Sequence, residues 1–330
     1  MIKNVAIVGA GVSGLTCAVL FAERGYPTVI FAEETGERTT SAAAAALWFP
    51  YDAEPADAVI AWALETYRVL FNLIREPYTG VSMLELRSFS RTGQVQIPEW
   101  AIPLGAKRLE VSAFPTGVEE SLAVSLNEIP AAFTSGFTLN VPLMDTTIYL
   151  DYLTNRFVEA GGSINGNVRF EELEDVDPKF DLVINCAGIG AKTLVPDADL
   201  EPHRGQVAIV PKIDISCATV CDDAPLMYTI PRANDCVFGG TNEPSDNRDV
   251  DPTSTSRIVV ECSRVLKIGK PEVLAERVGL RPFRKSGVRV EREKLRDGRT
   301  VIHNYGHGGS GFTISWGCAR KVFDLAGLSG

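Results

Sequence analysis

The chain has 330 residues, and at roughly 150 residues per domain that length predicts about two domains and room for a large core. Its 22% charged and 45% hydrophobic residues are ordinary globular composition and exclude disordered, collagenous and low-complexity classes. A formal net charge of −10 with no Lys/Arg block argues against nucleic-acid binding and against an anionic membrane surface.

Residues 4–9 read Asn-Val-Ala-Ile-Val-Gly, a β-branched run that predicts a strand buried on both faces. Gly9-Ala10-Gly11-Val12-Ser13-Gly14 follows, and Leu15 to Arg24 predicts a helix with Leu15, Ala18, Val19 and Ala22 on one face and Gly25 past its end. Tyr26 to Ala32 is a second apolar strand ending at Glu33, which completes a βαβ unit with a right-handed crossover. Residues 39–47 are rich in Thr, Ser and Ala, but Trp48-Phe49-Pro50 follows, so an ordered, close-packed segment is expected rather than a linker. Asp57 to Ile74 has helical periodicity, with Ile60, Leu64, Tyr67, Leu70, Phe71 and Ile74 as its apolar stripe.

Period-two patterns with scattered Pro and Gly over 80–140 predict antiparallel strands. Thr147 to Ala160 predicts a helix stopped by Gly161-Gly162, and Lys179 to Asn185 another buried strand running into Cys186-Ala187-Gly188-Ile189-Gly190. Strands recur from Gly205 to Gly240, and helices are expected over Thr253 to Leu266 and about Gly311 to Leu325. Nucleotide-type and β-rich stretches alternate. They predict two domains interleaved in sequence, one from 1–79, 141–205 and 281–330, the other from 80–140 and 206–280.

The seven cysteines include no Cys-x-x-Cys pair and several sit in apolar runs, which reads as buried, reduced thiols of a cytoplasmic protein. His203, His303 and His307 are the three histidines, and none stands at metal-ligand spacing, so no metal is expected. No apolar run reaches membrane-spanning length, and the N-terminus enters a strand directly, so neither a span nor a signal peptide is expected. Gly327-Leu328-Ser329-Gly330 is not a Ser-Lys-Leu peroxisomal ending.

Gly9-x-Gly11-x-x-Gly14 lies between a strand and a helix, with an acidic strand end about 20 residues on, which is the context a dinucleotide-binding turn requires. Gly9 permits the tight turn, Gly11 a close approach of backbone to pyrophosphate, and Gly14 close helix–strand packing. The helix N-terminus offers N–H groups and a positive dipole end to the phosphates. Glu33 would accept hydrogen bonds from ribose hydroxyls and repel a 2′-phosphate. The motif alone does not separate NAD from FAD; Thr39-Thr40-Ser41 followed by small residues suits a backbone wrapped around a flavin.

The stretch Val301-Ile302-His303-Asn304-Tyr305-Gly306-His307-Gly308-Gly309-Ser310-Gly311, with Gly317-Cys318-Ala319 after it, resembles the signature of the D-amino-acid oxidase family over its full length. The likeness continues in Gly279-Leu280-Arg281-Pro282-Phe283-Arg284, Val288 to Glu293, Met227-Tyr228-Thr229-Ile230-Pro231, Arg204-Gly205-Gln206 and Leu47-Trp48-Phe49-Pro50-Tyr51, in the family's order. The resemblance implies an α/β fold in which a Rossmann-like FAD-binding domain is interleaved with a β-rich, mixed-sheet substrate-binding domain. It also implies FAD as cofactor, a homodimer, and a substrate site where the domains meet.

The resemblance further implies hydride transfer from the Cα of a neutral amine to flavin N5. Molecular oxygen then reoxidises the flavin with release of hydrogen peroxide, and the imino acid hydrolyses to a 2-oxo acid and ammonia. The protein's part is orientation and electrostatics. Arg281 corresponds to the arginine that grips the substrate carboxylate, a task suited to a planar guanidinium. Tyr228 corresponds to the tyrosine that adds a hydrogen bond to that carboxylate, and Gly309 to the glycine whose carbonyl accepts from the substrate amine. Leu47, Phe49, Tyr51, Ala224, Ile230, Asn242 and Ser310 fall in the substrate pocket. The cofactor set comprises Gly9 to Gly14, Glu33, Glu34, Thr39 to Ser41, Val168, Cys186, Ala187, Gly188, Gln206, Gly306, Gly308, Gly309, Ser310, Gly311, Phe312 and Thr313. His307 is read as a loop histidine rather than a catalytic group.

The sequence departs from the family pattern at two places. The lid tyrosine of vertebrate members is Ala224, which implies a more open pocket, and the arginine of the D-aspartate oxidase branch is Asn242, which removes a cation for a side-chain carboxylate. Neutral D-amino acids are therefore the expected substrates, unless Arg232 or Arg248 swings in. The alternatives are D-aspartate oxidase or another amine oxidase of the same fold, a flavin-binding protein without turnover, and an NAD-dependent dehydrogenase.

Overall fold

The computed structural model describes residues 2–109 and 132–328. Part of the expected strand region 80–140 lies outside the described residues. In chain order the strands are β1 (Val5–Val8), β2 (Thr28–Ala32), β3 (Val81–Ser90), β4 (Lys107–Arg108), β5 (Ser135–Met144), β6 (Ser163–Gly166), β7 (Leu182–Asn185), β8 (Leu200–Pro211), β9 (Cys217–Cys221), β10 (Met227–Pro231), β11 (Asp235–Gly239), β12 (Glu243–Pro244), β13 (Ala275–Arg284), β14 (Arg289–Lys294) and β15 (Thr300–Tyr305). The helices are α1 (Val12–Ala22), α2 (Ala56–Leu73), α3 (Thr146–Glu159), α4 (Ala191–Leu194), α5 (Pro252–Leu266) and α6 (Gly311–Leu325).

A six-stranded sheet has the order β14-β15-β7-β1-β2-β6, parallel from β15 to β6 with β14 antiparallel at the edge. Strand β1 is buried throughout because alternate residues serve two cores. Val5 and Ile7 pack with the helices α1 and α6, while Ala6 and Val8 meet Leu173, Val176 and Phe180 on the other face. The second sheet has nine strands and is mixed: β3 pairs antiparallel with β5 but parallel with β9. Helix α5 covers its outer face, with Ile258, Val259 and Cys262 against Ala208, Val210 and Phe238. Asp251 caps α5 by accepting from the backbone N–H groups of Thr253 and Ser254, and Pro252 fits the first turn.

The chain changes sheets a few residues away from the borders at 140, 205 and 281. Strand β5 stays in the nine-stranded sheet to Met144, and β13 pairs with β8 along its whole length, from Ala275 opposite Ile209 to Arg284 opposite Leu200. That continuous ladder carries both strands past the expected borders.

Helix α2 also differs from expectation. Its buried residues are Val59, Ala63, Thr66, Leu70 and Leu73, whereas Phe71 is exposed. The buried face uses small side chains because α2 lies almost backbone to backbone on α6: a Cβ at Gly317 would stand 2.3 Å from the Trp62 carbonyl oxygen.

Candidate active site

The cavity begins where β1 hands over to α1. Gly9 has φ +112, and a Cβ there would lie 2.3 Å from the Cys186 carbonyl oxygen, so only glycine lets the turn pass under the end of β7. Gly14 sits behind this turn, where a Cβ would meet the Gly9 carbonyl oxygen at 2.0 Å. The first turn of α1 holds no acidic residue, so its positive end is not neutralised, and the Val12 N–H donates to Ser41 Oγ at 2.9 Å. Ser41 thus joins the 39–51 segment to the turn. Glu33 stands at the end of β2 and pairs with Arg169 at 3.3 Å, while Glu34 pairs with Arg248 at 2.7 Å.

The far wall comes from the C-terminal loop and α6. Thr313 Oγ1 donates to the Phe49 carbonyl at 3.0 Å and accepts from the Phe49 N–H at 3.1 Å. Ser310 Oγ does the same for Tyr51, at 2.6 and 2.8 Å. These two hydroxyls clip the 49–51 segment onto the start of α6. His307 is buried between Asn304 Oδ1, 2.9 Å from Nε2, and Ser13 Oγ, 3.3 Å from Nδ1. Burial pushes its pKa down to about 4, so it is a neutral positioning group at neutral pH.

The other end of the cavity is built on the nine-stranded sheet. Arg281 on β13 lies over Gly205, where a Cβ would come 2.4 Å from its Nη1. Nη1 donates to the Thr241 carbonyl at 2.9 Å and to Asn242 Oδ1 at 3.4 Å. The ring of Tyr228 on β10 occupies the space left by Gly239, where a Cβ would stand 2.0 Å from Cζ. Burial raises the Tyr228 pKa and Arg281, which is hydrogen-bonded to it, draws it part of the way back, so the hydroxyl remains a donor at neutral pH. Asn242 Nδ2 donates to Tyr51 Oη at 3.1 Å and to Asp52 Oδ2 at 3.3 Å.

One cavity of about 620 Å³ is lined by all these segments, and that volume suits a bound small molecule. Of the residues expected at the site, Gly9 to Ser13, Glu33, Glu34, Thr39 to Ser41, Val168, Cys186 to Gly188, Gly308, Gly309 and Gly311 to Thr313 line it, as do Leu47, Phe49, Tyr51, Tyr228, Ile230, Asn242 and Arg281.

Five expected residues do not line it. Gly14 and Gly306 lie behind the wall, where Gly14 packs on Gly9 and Gly306 on the Arg284 side chain. Ser310 is fully buried and acts through Tyr51. Ala224 is exposed at the loop tip between β9 and β10, so it is not a pocket residue. Gln206 faces away from the cavity: its side chain donates to the Asp251 carbonyl and to Thr255 Oγ1 at 2.9 and 2.7 Å and accepts from Arg204. Alternation along β8 instead presents Gly205 and Val207 to the cavity. Asp222 and Leu226 also line it without having been singled out in the sequence.

The residues present fit a flavin adenine dinucleotide: a side-chain-free turn under a helix start, a carboxylate at the second strand end, and one cavity continuing to the Arg281–Tyr228 wall. Among the described residues no His/Cys/Asp/Glu group has the arrangement to hold a metal ion.

Fold and cavity together define a dinucleotide-binding α/β protein whose ligand site is closed by a second, β-rich layer. A family model described as FAD dependent oxidoreductase matches residues 4–325. The chain is similar to the D-amino-acid oxidase of Rubrobacter xylanophilus, at 37% identity covering 100% of this chain and 97% of that protein. The D-amino-acid oxidase of Streptomyces coelicolor is 38% identical, covering 98% and 96%, and the D-aspartate oxidase of Homo sapiens 32%, covering 98% and 94%. The fold is shared with glycine oxidase from Geobacillus kaustophilus, with a TM-score of 0.78 at 16% identity over 99% of this chain and 95% of that one. The chain belongs to the FAD-dependent oxidoreductase family.

Proposed function

We propose that this protein oxidises neutral D-amino acids to 2-oxo acids, ammonia and hydrogen peroxide, using FAD and molecular oxygen. The observation that carries this reading is the Arg281–Tyr228 pair facing the same cavity as the Gly9 turn and the Gly308–Gly309 loop. The full-length likeness to proteins named D-amino-acid oxidase supports it. When bound, FAD supplies the hydride acceptor and the route of electrons to oxygen.

The chain's own residues position the substrate. Anchoring through Nη1 fixes the Arg281 guanidinium at the cavity wall, where its other N–H groups offer a carboxylate charge-assisted bonds. The Tyr228 hydroxyl donates to the same carboxylate, and the Gly309 carbonyl accepts from the neutral amine, so that Cα is held in one orientation. Leu47, Phe49 and Ile230 exclude water around the side chain.

A D-aspartate preference is less well supported. Arg232 is buried and held by Asp235 at 2.6 and 2.7 Å, so it is not positioned to replace the cation absent at Asn242, and Arg248, which lines the cavity, is paired with Glu34. All seven cysteines are free, which supports a reducing, cytoplasmic setting. No helix among the described residues is long and apolar enough to cross a membrane. The homodimer rests on the family resemblance and is checked by light scattering.

The test is peroxide release from a panel of D- and L-amino acids, with an absorption spectrum of the same sample. Flavin bands with peroxide from neutral D-amino acids are expected. Flavin bands without peroxide from any amino acid would overturn the substrate, and a colourless protein that takes up no FAD would overturn the cofactor.

A further inference from the structure

Asn242 lies between β11 and β12 and joins three neighbours. Its Oδ1 accepts from Arg281 Nη1 at 3.4 Å, and its Nδ2 donates to Tyr51 Oη at 3.1 Å and to Asp52 Oδ2 at 3.3 Å. Chemistry dictates this orientation of the amide. A guanidinium only donates and a carboxylate only accepts, so the oxygen must face Arg281 and the nitrogen must face Asp52. An acid at this position would set one carboxylate against another, and an aliphatic side chain would answer neither neighbour.

Asp52 is itself firmly placed. Its backbone has φ +52, a left-handed conformation that Asp adopts more readily than most residues. Its carbonyl oxygen fills the space left by Gly308, where a Cβ would stand 2.0 Å from it. His203 Nδ1 lies 3.8 Å from the same Oδ2 that accepts from Asn242. By charge alone an anion near the Arg281 wall would oppose an anionic substrate group. What Asp52 contributes is the direction it imposes on Asn242.

Tyr51 is the side chain which that direction serves. Its ring lies on Gly309, where a Cβ would come 2.5 Å from Cδ1, and its hydroxyl reaches Asn242. The side chain therefore spans the cavity wall from the Gly309 loop to the Arg281 end. Burial raises its pKa, so the hydroxyl keeps its proton at neutral pH. Oη already accepts from Asn242, which leaves its proton for a ligand in the cavity that Tyr51 lines. We infer that Asp52 and Asn242 form a positioning pair that aims Arg281 and the Tyr51 O–H at one substrate carboxylate, with Tyr51 a donor beside Arg281 and Tyr228. The inference rests on the reading of the chain as a D-amino-acid oxidase.

Hexanoate is the probe. It is D-norleucine without the amine, so it carries a carboxylate to Arg281 and cannot be deaminated. Its Kd is measured by calorimetry on the FAD-loaded protein, with the flavin spectrum checked for each variant. Tyr51→Phe should weaken hexanoate roughly tenfold, the loss of one hydrogen bond to a charged group. In an Asn242→Leu background the same change should cost less than about twofold, because the hydroxyl is no longer aimed. Asp52→Gly suits the left-handed backbone and should also weaken hexanoate, while Asp52→Asn keeps an acceptor oxygen and should recover part of the loss.

An equal cost of Tyr51→Phe in both backgrounds overturns the inference. So does tighter binding in Asp52→Gly, because Asp52 would then act by charge alone. An unchanged Kd in Tyr51→Phe overturns it even if no other variant folds. A wild-type holoenzyme that binds hexanoate but releases no peroxide from any D-amino acid fails the oxidase reading alone, and the hexanoate comparison still decides the positioning pair. A wild-type holoenzyme that binds no hexanoate overturns the inference itself.

Discussion

Replacing Gly9 by Ala tests the cofactor cradle directly. Two separate effects act at that position. The backbone has φ +112, and holding an L residue in such a sparsely populated region costs about 1–3 kcal/mol. The new Cβ would also lie 2.3 Å from the Cys186 carbonyl oxygen and 2.8 Å from its carbon, both backbone atoms that cannot rotate away. Overpacking of this kind costs about 1–3 kcal/mol more. Together Gly9→Ala should lose about 2–6 kcal/mol, a large part of a typical stability of about 5–15 kcal/mol. Gly25→Ala is the control: its φ is +80 but nothing lies within 4 Å of a Cβ, so only the conformational cost applies. Urea unfolding of the apoprotein and FAD titration by flavin fluorescence measure both. Gly9→Ala should unfold at clearly lower urea than Gly25→Ala and bind FAD at least tenfold more weakly. Equal midpoints and equal FAD affinities in the two variants would refute the packing argument.

Arg281→Ala should lower kcat/KM by roughly 30-fold to several thousand-fold, the equivalent of about 2–5 kcal/mol for a lost charge-assisted contact, with Arg281→Lys recovering part of it in steady-state assays. Gly239→Ala should drive Tyr228 from its place and reduce turnover while the flavin spectrum persists; unchanged kinetics would mean that the ring is held elsewhere. Gln206→Ala should leave FAD affinity intact yet cost about 2–4 kcal/mol in chemical denaturation, because Arg204 and Thr255 lose buried partners. His307 has a folded pKa of about 4 against about 6.5 unfolded, so the unfolded chain binds more protons between those values. Its contribution, on the order of 3 kcal/mol, is present above about pH 6.5 and is lost as the pH falls toward 4. His307→Asn should flatten that part of the stability–pH curve.

The βαβ start was legible because its signal is local: glycine spacing, a strand before it, a helix after it. The same holds for α5, expected over Thr253 to Leu266 and found over Pro252–Leu266. Which face of an element meets its neighbour was harder to read. The large side chains of α2 suggested a stripe through Phe71, but the contact with α6 is so close at Gly317 that Ala63 and Thr66 form it. In β8 the tripeptide Arg204-Gly205-Gln206 was noticed, yet alternation gives the cavity to Gly205 and sends Gln206 under α5. Asp222 and Asp223 are adjacent acids in a hairpin, and only the loop geometry separates the one that faces the cavity from the one that binds Ser90. Arg281, among several arginines, was identified through the family likeness and not through its spacing.

The clipping of Phe49 and Tyr51 by Thr313 and Ser310 bears on when the protein becomes competent during its synthesis. The Gly9 turn leaves the ribosome early, but one wall of its cavity belongs to α6, which follows β15, the strand paired with β7. A nascent chain therefore carries half a nucleotide site with no opposite side. A chain cut short before α6 would keep its glycine turn and lose Gly311, Phe312 and Thr313 from the opposite wall of the cavity.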